Sequence, residues 1–435
     1  MKPLFVISCP FDTFSGYGAR SRDLVKSIIE TNKYEVKLLS QRWGNTPFGF
    51  CKSNLEWEFL LNHMITNPTN HQQPDIWMQI TVPNEFQPIG KFNIGVTAGI
   101  ESDICPGDWV EGINRMDLTL TSSNHSKKVF EDCVFEKRNK QTNVLESTIK
   151  IEKPIEVLFE GANTNVYKIL DKIPQSELYT SLMGIKEKFA YLFVGHWMEG
   201  DMGEDRKNVG LLVKAFFETF KNKMNKPALI LKTSQVSSSY YDREEILKKI
   251  KKIKKTVNSK NLPNIYLLHG EFSDEEMNEL YNHPKVKAMV NLTKGEGFGR
   301  PLLEFSLTKK PIICSGWSGQ IDFLDSKLTC LLGGQLTNVH PSTKNQFLLP
   351  ESKWFTVDPG QTGFYLKDVF ENYKNYTENA KRLASKNKNN FSWDAMKEKV
   401  DELLIKYIPE FPKEVKLALP QLKKIEIPKL KKING

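Results

Sequence analysis

Short apolar runs, bounded by polar or turn residues, recur along this chain, and segments of helical periodicity lie between some of them. In the first half these runs occupy residues 4–8, 34–40, 76–82, 92–98, 117–123 and 155–161. A short continuous apolar run between turn signals predicts a buried strand. Strands that alternate with helices predict a parallel sheet, which binds ligands at the carboxyl ends of its strands.

The second half repeats this architecture, without a residue-level repeat of fixed period. Its predicted strands lie at residues 189–195, 228–234, 265–271, 287–293 and 311–316. We therefore expect an α/β protein with two doubly wound domains that face each other across a cleft, where small ligands usually bind. We expect an N-terminal domain at residues 1–165 and a C-terminal domain at 166–390. A late helix at 391–410 would cross back, and a basic Pro/Lys tail would occupy 411–435.

Composition excludes several other classes of protein. Aromatic residues make up 11% of the 435 residues, which is enough apolar mass to exclude disorder over the whole chain. No run approaches the ~18 apolar residues that span a bilayer, and the first residues lack the features of a secretory signal. We therefore expect a cytoplasmic protein without a transmembrane segment. The six cysteines include no CxxC pair and the seven histidines form no metal-like cluster, so neither a disulfide scaffold nor a zinc site is expected.

The net charge of +9 is concentrated at the end of the chain. Residues 411–435 hold seven Lys and two Glu and so contribute +5. A basic chain suits an anionic ligand or polymer, but a tail supplies such charge without any site. The tail either packs on the protein or contacts nucleic acid or a membrane surface. A second lysine run, KKIKKIKK at 248–255, fits an amphipathic surface helix, and a polyanion contact is the alternative.

The most informative stretch is a glycine-rich turn between a predicted strand and a predicted helix. Glu296, Gly297, Phe298 and Gly299 form the turn, and Glu304 lies eight positions after Glu296. Bare amides in such a turn bind phosphates, and carboxylates accept hydrogen bonds from sugar hydroxyls. A capped strand-to-helix turn without a ligand is the alternative. Because both glutamates, the glycines and a helix-starting proline coincide, we interpret the turn as a nucleotide-sugar site.

At this point the sequence resembles a known family. The segment EGFGRPLLE is similar to the E-x7-E signature of the family 4 glycosyltransferases, which have the GT-B fold of two Rossmann-like domains. The resemblance covers most of residues 1–410 and includes VLFEGANTNVYK at 157–168 and SSNHSKKVF at 122–130. The opening segment, with RWGNTPF at 42–48, is similar to members encoded by tailed bacteriophages. Arg300 stands where the family commonly has an apolar residue.

The resemblance implies roles for the residues of the turn. Glu304 would bind the ribose hydroxyls of the donor, and Glu296 would bind the donor sugar near the reacting carbon. The amides of Gly297, Phe298 and Gly299 would hold the sugar and the phosphates. These assignments imply a donor that is a nucleotide sugar, UDP-linked by our prediction.

Further roles follow from the same resemblance. Lys207, with Arg206 beside it, would neutralise the diphosphate leaving group, where a fixed cation stabilises the negative charge that builds up. Gly16 and Gly18 would let the first loop approach the cleft. The backbone around His269, Gly270 and Phe272 would border the base.

Two departures from the family pattern affect the site. The family commonly has Arg where His196 and Trp197 stand, a loss for which Arg206 could compensate. Many members place a His near the reacting sugar, and the nearest polar candidate here is Glu101. Glu101 either orients or deprotonates the acceptor hydroxyl, or simply caps the following turn.

The resemblance therefore implies a glycosyltransferase that retains the anomeric configuration, and the sequence predicts that it works without a metal or other cofactor. It contains no Asp-x-Asp pair of the kind that holds a metal in many other transferases. The resemblance does not identify the acceptor. The phage-like opening and the basic charge make modified DNA a candidate, and glycan and protein acceptors stay open. The alternatives are a non-catalytic GT-B-fold binding or virion-associated protein and a sugar phosphorylase-like enzyme.

Overall fold

The computed structural model describes residues 2–65, 73–139, 141–198, 200–235, 238–343 and 347–411. In these residues the chain forms two parallel sheets of six strands each. Both sheets carry a hydrophobic core on either face, because alternate side chains of their apolar strands point to opposite sides. Phe5 and Ile7 enter one core of the N-terminal domain and Val6 enters the other. The arrangement of two doubly wound domains confirms the predicted fold class.

The N-terminal sheet has the strand order β2-β1-β3-β4-β5-β8. A two-stranded antiparallel hairpin, β6-β7, lies apart from it. The strands of this domain are β1 (Leu4–Cys9), β2 (Glu35–Ser40), β3 (Ile76–Ile80), β4 (Phe92–Thr97), β5 (Leu118–Thr121), β6 (Phe135–Arg138), β7 (Leu145–Ile149) and β8 (Ile155–Val157).

The C-terminal sheet has the order β11-β10-β9-β12-β13-β14, which is the Rossmann order 3-2-1-4-5-6. An antiparallel pair, β15-β16, follows it. Its strands are β9 (Ala190–Val194), β10 (Ala228–Lys232), β11 (Ile265–Leu268), β12 (Val286–Asn291), β13 (Ile312–Ser315), β14 (Cys330–Leu332), β15 (Gly334–Asn338) and β16 (Lys353–Val357).

Helices connect the strands of both sheets, and serine side chains cap several of them at the N-terminus, as at Ser15 and Ser273. The α-helices are α1 (Gly16–Glu30), α2 (Phe50–Ser53), α3 (Gly107–Asn114), α4 (Asn124–Asp132), α5 (Glu177–Met183), α6 (Val209–Phe220), α7 (Tyr240–Lys255), α8 (Asp274–Asn282), α9 (Arg300–Ser306), α10 (Pro359–Glu371), α11 (Tyr373–Asn390) and α12 (Trp393–Tyr407). Short 3₁₀ segments lie at Leu55–His63, Pro83–Glu85, Gly319–Asp322 and Pro341–Thr343.

The last helix, α12, packs against the N-terminal domain although it follows the C-terminal domain in sequence. Its apolar residues Met396, Val400 and Leu404 join the core beneath α1. Lys33 of the N-terminal domain lies 2.6 Å from Asp401. Ser392 caps this helix, since its hydroxyl accepts a hydrogen bond from the Ala395 amide. The chain therefore passes between the domains twice.

Two regions differ from the sequence interpretation or lie beyond the structure. The β6-β7 hairpin, which begins at Phe135, has no counterpart among the strands that the sequence predicts. The basic tail lies outside the described residues from 412 onward. Within the described ranges, none of the helices combines the length and apolarity that crossing a membrane requires.

Candidate active site

The candidate site lies where the strand order of the C-terminal sheet reverses, between β9 and β12. Doubly wound sheets bind ligands at such a point, outside the carboxyl ends of the strands. The loop after β9 carries Arg206 and Lys207, and the loop after β12 carries Glu296. Because β9 and β12 are paired neighbours, residues 89 positions apart in sequence come together here.

The four residues predicted to be catalytic form one chain of ion pairs. Lys207 Nζ donates to both carboxylate oxygens of Glu296, at 2.6 and 2.7 Å. Arg206 Nη1 lies 3.3 Å from Glu296 Oε2, and Arg206 Nη2 lies 3.3 Å from Glu101 Oε1. Since Glu101 follows β4 of the N-terminal domain, this chain of charges joins the two domains across the cleft.

The electrostatics of the cluster favour an ionised Glu296. Burial alone would raise the pKa of this carboxyl, but the charges of Lys207 and Arg206 outweigh burial and hold its pKa below the ordinary value. Burial lowers the pKa of Lys207 in spite of Glu296. The neighbouring carboxylates overcome burial at Arg206 and raise its pKa. The site therefore holds fixed charges in a region from which water is largely excluded, where each charge acts more strongly than in bulk water.

The glycine-rich turn brings unpaired amides to the same place. Within the described part of the chain, the amides of Gly297, Phe298 and Gly299 have no hydrogen-bond acceptor. The turn itself is fixed, because the Glu296 amide donates to Ser318 Oγ at 2.9 Å and its carbonyl accepts from the Gly319 amide. Gly299 adopts a left-handed conformation with φ of 98°, which a residue without a side chain adopts at little cost. Three donors are thus available to an anion beside the Lys207 cation.

Two glycines of this turn also let the domains approach each other closely. A Cβ atom on Gly295 would lie 1.9 Å from the carbonyl oxygen of Glu101, and one on Gly297 would lie 2.2 Å from that of Ala98. Ser122 Oγ lies 3.1 Å from the Gly297 carbonyl and donates to it. The absence of side chains here serves contact between the domains as well as ligand access.

Glu304 lies one helical turn inside α9 and is bound by Arg300. Arg300 Nε donates to Glu304 Oε1 at 2.9 Å, and Arg300 Nη1 lies 2.8 Å from Asp23 Oδ2 on α1 of the other domain. Burial raises the pKa of Glu304 to about 8, although the Arg300 charge opposes this. Burial likewise raises the pKa of Asp23 against the same cation. Arg300 is therefore a second link between the domains.

A cavity of about 370 Å³ lies between these two links. The turn from Glu296 to Pro301, together with Glu304, forms its wall on the C-terminal side. Residues of the N-terminal domain form the opposite wall, and these are Gly16, Tyr17, Arg20, Trp43, Ala98, Glu101 and Glu160. Both carboxylates of the predicted E-x7-E pair thus line one cavity.

The remaining predicted residues lie around this centre. Gly16 lines the cavity, whereas Gly18 faces its own loop, where a Cβ atom would lie 2.4 Å from the Thr13 carbonyl oxygen. Gly18 is thus needed for the packing of the first loop, and its part in the approach of that loop to the cleft stays a prediction. His196 Nδ1 lies 3.2 Å from Ser234 Oγ, and burial lowers its pKa.

The segment predicted to border the base lies outside the cavity wall. His269 Nε2 lies 2.9 Å from Asp242 Oδ2, and Lys232 Nζ donates to the Gly270 carbonyl at 2.8 Å. The same ammonium lies 4.7 Å from the centre of the Phe272 ring. Contact of these residues with a base stays a prediction.

Several residues of the cavity wall carried no recognisable sequence signal. Arg20 and Glu160 are far apart in sequence although they form an ion pair at 3.7 Å. The same is true of Asp23, an ordinary charged position in a helical pattern, which lies behind the wall and pairs with Arg300. Trp43 lies in the quoted RWGNTPF segment, but nothing in that segment predicts that its ring stacks on Tyr17. The predicted independence of metal also stays a prediction, and among the described residues no three His, Cys, Asp or Glu side chains are grouped as metal ligands would be.

Comparison with known proteins identifies the fold. No family model matches the sequence, and no curated protein sequence matches it significantly. Solved structures do match. A glycosyltransferase from Rickettsia africae superposes with a TM-score of 0.60 at 15% identity, covering 94% of this chain and 99% of that one. Sucrose-phosphate synthase from Thermosynechococcus elongatus gives a TM-score of 0.60 at 11% identity, with 93% and 99% covered.

A third similar structure carries ligands. Anabaena HepE in complex with UDP and glucose gives a TM-score of 0.57 at 12% identity, covering 93% of this chain and 100% of that one. At such low identity these likenesses concern the fold. The chain has the GT-B fold that its sequence resemblance implies.

Proposed function

We propose that this protein is a glycosyltransferase that moves a sugar from a nucleotide-sugar donor, UDP-linked, to a hydroxyl acceptor with retention of configuration. One observation carries the proposal: Lys207, Arg206, Glu296 and Glu101 form a continuous chain of charges across the cleft, beside the unpaired amides of the glycine-rich turn. The likeness to HepE, whose structure contains UDP and glucose, and the resemblance to the family 4 enzymes support the same donor class.

Each group has a task in donor binding. The amides of Gly297, Phe298 and Gly299 and the Lys207 ammonium hold the diphosphate. These hydrogen-bonding groups are fixed in place before negative charge develops on the leaving group. Glu296 accepts hydrogen bonds from sugar hydroxyls while its two cationic neighbours keep it ionised. Glu304, which lines the same cavity, accepts from the ribose.

The reaction then proceeds on one side of the sugar. The acceptor oxygen forms a bond to the anomeric carbon as the bond to the diphosphate oxygen breaks. The hydroxyl proton passes to the departing diphosphate oxygen, and Lys207 stabilises the charge that remains. Glu101 lies on the N-terminal side of the cavity, where an acceptor would enter, and Arg206 holds its carboxylate for orienting the attacking hydroxyl. The sequence features place modified DNA among the acceptors to be tested.

The proposal is tested by donor turnover. Purified protein is incubated with a panel of UDP-sugars, with and without candidate acceptors, and release of UDP is measured. We expect release with at least one donor, and a loss of about 10²–10³ in kcat for Glu296→Gln and for Lys207→Ala, the size typical of removing one transition-state contact.

The chain offers a matched control for these variants. Glu218 also pairs with two cations, Lys214 at 3.0 Å and Lys221 at 2.6 Å, but on the outer surface of α6. Glu218→Gln and Lys221→Ala should therefore leave turnover unchanged. Equal turnover in the wild type and both site variants would refute the assigned roles. Release of sugar phosphate without a nucleotide would instead identify a phosphorylase-like enzyme.

A further inference from the structure

Two loops of the N-terminal domain are joined into one rigid unit at the mouth of the cavity. The loops follow β1 and β2, and they meet in an antiparallel bridge between Thr13 and Phe48. The Phe14 amide donates to the Pro47 carbonyl at 3.2 Å, and the Asp12 carbonyl accepts from two amides of the second loop. Because backbone hydrogen bonds fix both loops against each other, their side chains are held in place.

This unit displays aromatic rings to solvent. Phe14 is 38% exposed and Phe48 is 42% exposed. The Trp43 ring stacks on Tyr17 with the ring centres 3.8 Å apart, and both residues line the cavity. We call Phe14, Trp43 and Phe48 the aromatic platform. Exposed large apolar side chains that adjoin a cavity are typical of an interaction site.

Two exposed cations lie on the second loop and on α2, which follows it. Arg42 and Lys52 are exposed, and the Arg42 guanidinium lies 5.6 Å from the centre of the Phe48 ring. The carboxylate of the same loops, Asp12, is engaged inward, where Oδ1 accepts from the Cys51 amide at 2.8 Å. Among the described residues neither cation forms an ion pair, and rings next to such cations suit a ligand that carries both flat faces and negative charge.

We propose that the aromatic platform, with Arg42 and Lys52, is the docking surface for a single-stranded or locally unpaired nucleic acid, which is the acceptor. This inference rests on the proposed function. Bases stack on aromatic side chains whatever their sequence, while cations track the phosphates. The nucleotide that receives the sugar passes over Trp43 and Tyr17 into the cavity.

The dimensions of the cleft decide between paired and unpaired nucleic acid. The cavity of about 370 Å³ is shared with the donor, so it admits single rings and excludes a duplex. Enzymes that modify a base inside a duplex must extrude it or act on single strands. From the platform the path to the reacting centre is short, because Tyr17 Oη accepts a hydrogen bond from the Ala98 amide at 3.0 Å, three residues before Glu101.

Binding of fluorescent oligonucleotides to the full chain tests this inference. Anisotropy is measured with a single strand, a duplex of the same sequence and a labelled neutral oligosaccharide. We expect the single strand to bind most tightly and its affinity to fall steeply with salt. Phe14→Ala combined with Phe48→Ala should weaken this binding about tenfold or more, as expected for loss of base stacking. Arg42→Gln should reduce the slope of affinity against salt by about one unit.

Controls separate this inference from the proposed function. Phe364, on α10 of the other domain, is 61% exposed, and Phe364→Ala should leave oligonucleotide binding unchanged. Thermal unfolding of each variant checks that it is folded. The inference would be overturned if the protein bound the oligosaccharide tightly but did not bind the single strand. It would also be overturned if the Phe14→Ala, Phe48→Ala variant bound the single strand as tightly as the wild type does. UDP binding by the wild-type protein is measured in parallel, and its failure would count against the donor site instead.

Discussion

Replacing Arg300 with leucine should destabilise the protein in a pH-dependent way. Arg300 lies between two buried carboxyls, Asp23 and Glu304, at 2.8 and 2.9 Å. Removing one partner of a buried ion pair leaves an uncompensated charge and typically costs about 3–5 kcal/mol. We expect a loss of that size for Arg300→Leu near pH 8.5, measured as the free energy of unfolding in urea.

The pH dependence follows from the direction of the pKa shifts. The pKa of Glu304 is raised from 4.5 to about 8, so the folded state binds the carboxyl proton more tightly than the unfolded state does. The stability contributed by Glu304 therefore falls as the pH rises from 4.5 to about 8. Without the Arg300 charge, the pKa values of Glu304 and Asp23 rise further. The gap between variant and wild type should therefore be smaller near pH 5.5, where Glu304 is protonated, and should widen as the pH rises through about 8.

A surface arginine supplies the control for this experiment. Arg243 pairs with Glu244 at 3.0 Å on the exposed side of α7, where ion pairs contribute at most about 1 kcal/mol. Arg243→Leu should change stability little at either pH. An Arg300→Leu variant as stable as wild type near pH 8.5, or one whose loss is the same at both pH values, would refute the role of Arg300 as the shared counter-ion.

Three further predictions concern the cleft. Gly295→Ala places a methyl group 1.9 Å from the Glu101 carbonyl oxygen, so it should force the domains apart. Solution scattering should then give an increased radius of gyration, and an unchanged radius would contradict the prediction. UDP at about 100 times its dissociation constant should stabilise the folded protein by about 2.7 kcal/mol, detected as a raised melting temperature, and Glu304→Ala should abolish that rise. Lys207→Ala should weaken UDP binding relative to the wild type, and by a larger factor at low salt than at high salt, because the lost contact is between charges. Calorimetry at two ionic strengths can check this.

Most of the two sheets could be predicted from sequence because their strands are buried on both faces. The run at Ile76–Ile80 is buried throughout, and such continuous apolar runs indicate strands without reference to the rest of the fold. The β6 strand, Phe135–Arg138, is not predicted because three of its four residues are charged and exposed, so neither apolarity nor alternation marks it. Prediction therefore succeeded for buried apolar runs such as this one and failed for a charged strand at the surface.

The candidate site could be predicted only in part, because some of its contacts depend on residues that are distant in sequence. Glu296 and Glu304 lie in one motif, and their spacing along the chain is enough to predict that both face the same cleft. The pairing of Arg206 with Glu101 depends instead on how the two domains face each other, which local sequence does not encode. The Arg300 link to Asp23 has the same origin. The stacking of Trp43 on Tyr17 depends on the bridge between their loops.

The central claim is that the cleft between the two domains binds a nucleotide sugar through the glycine-rich turn, Lys207 and the two glutamates. A crystal structure of the protein with UDP tests it most directly. The account predicts the diphosphate on the amides of Gly297, Phe298 and Gly299 next to Lys207, with the ribose hydroxyls on Glu304. Nucleotide bound outside this cleft, or a cleft that stays empty at saturating UDP, would contradict it.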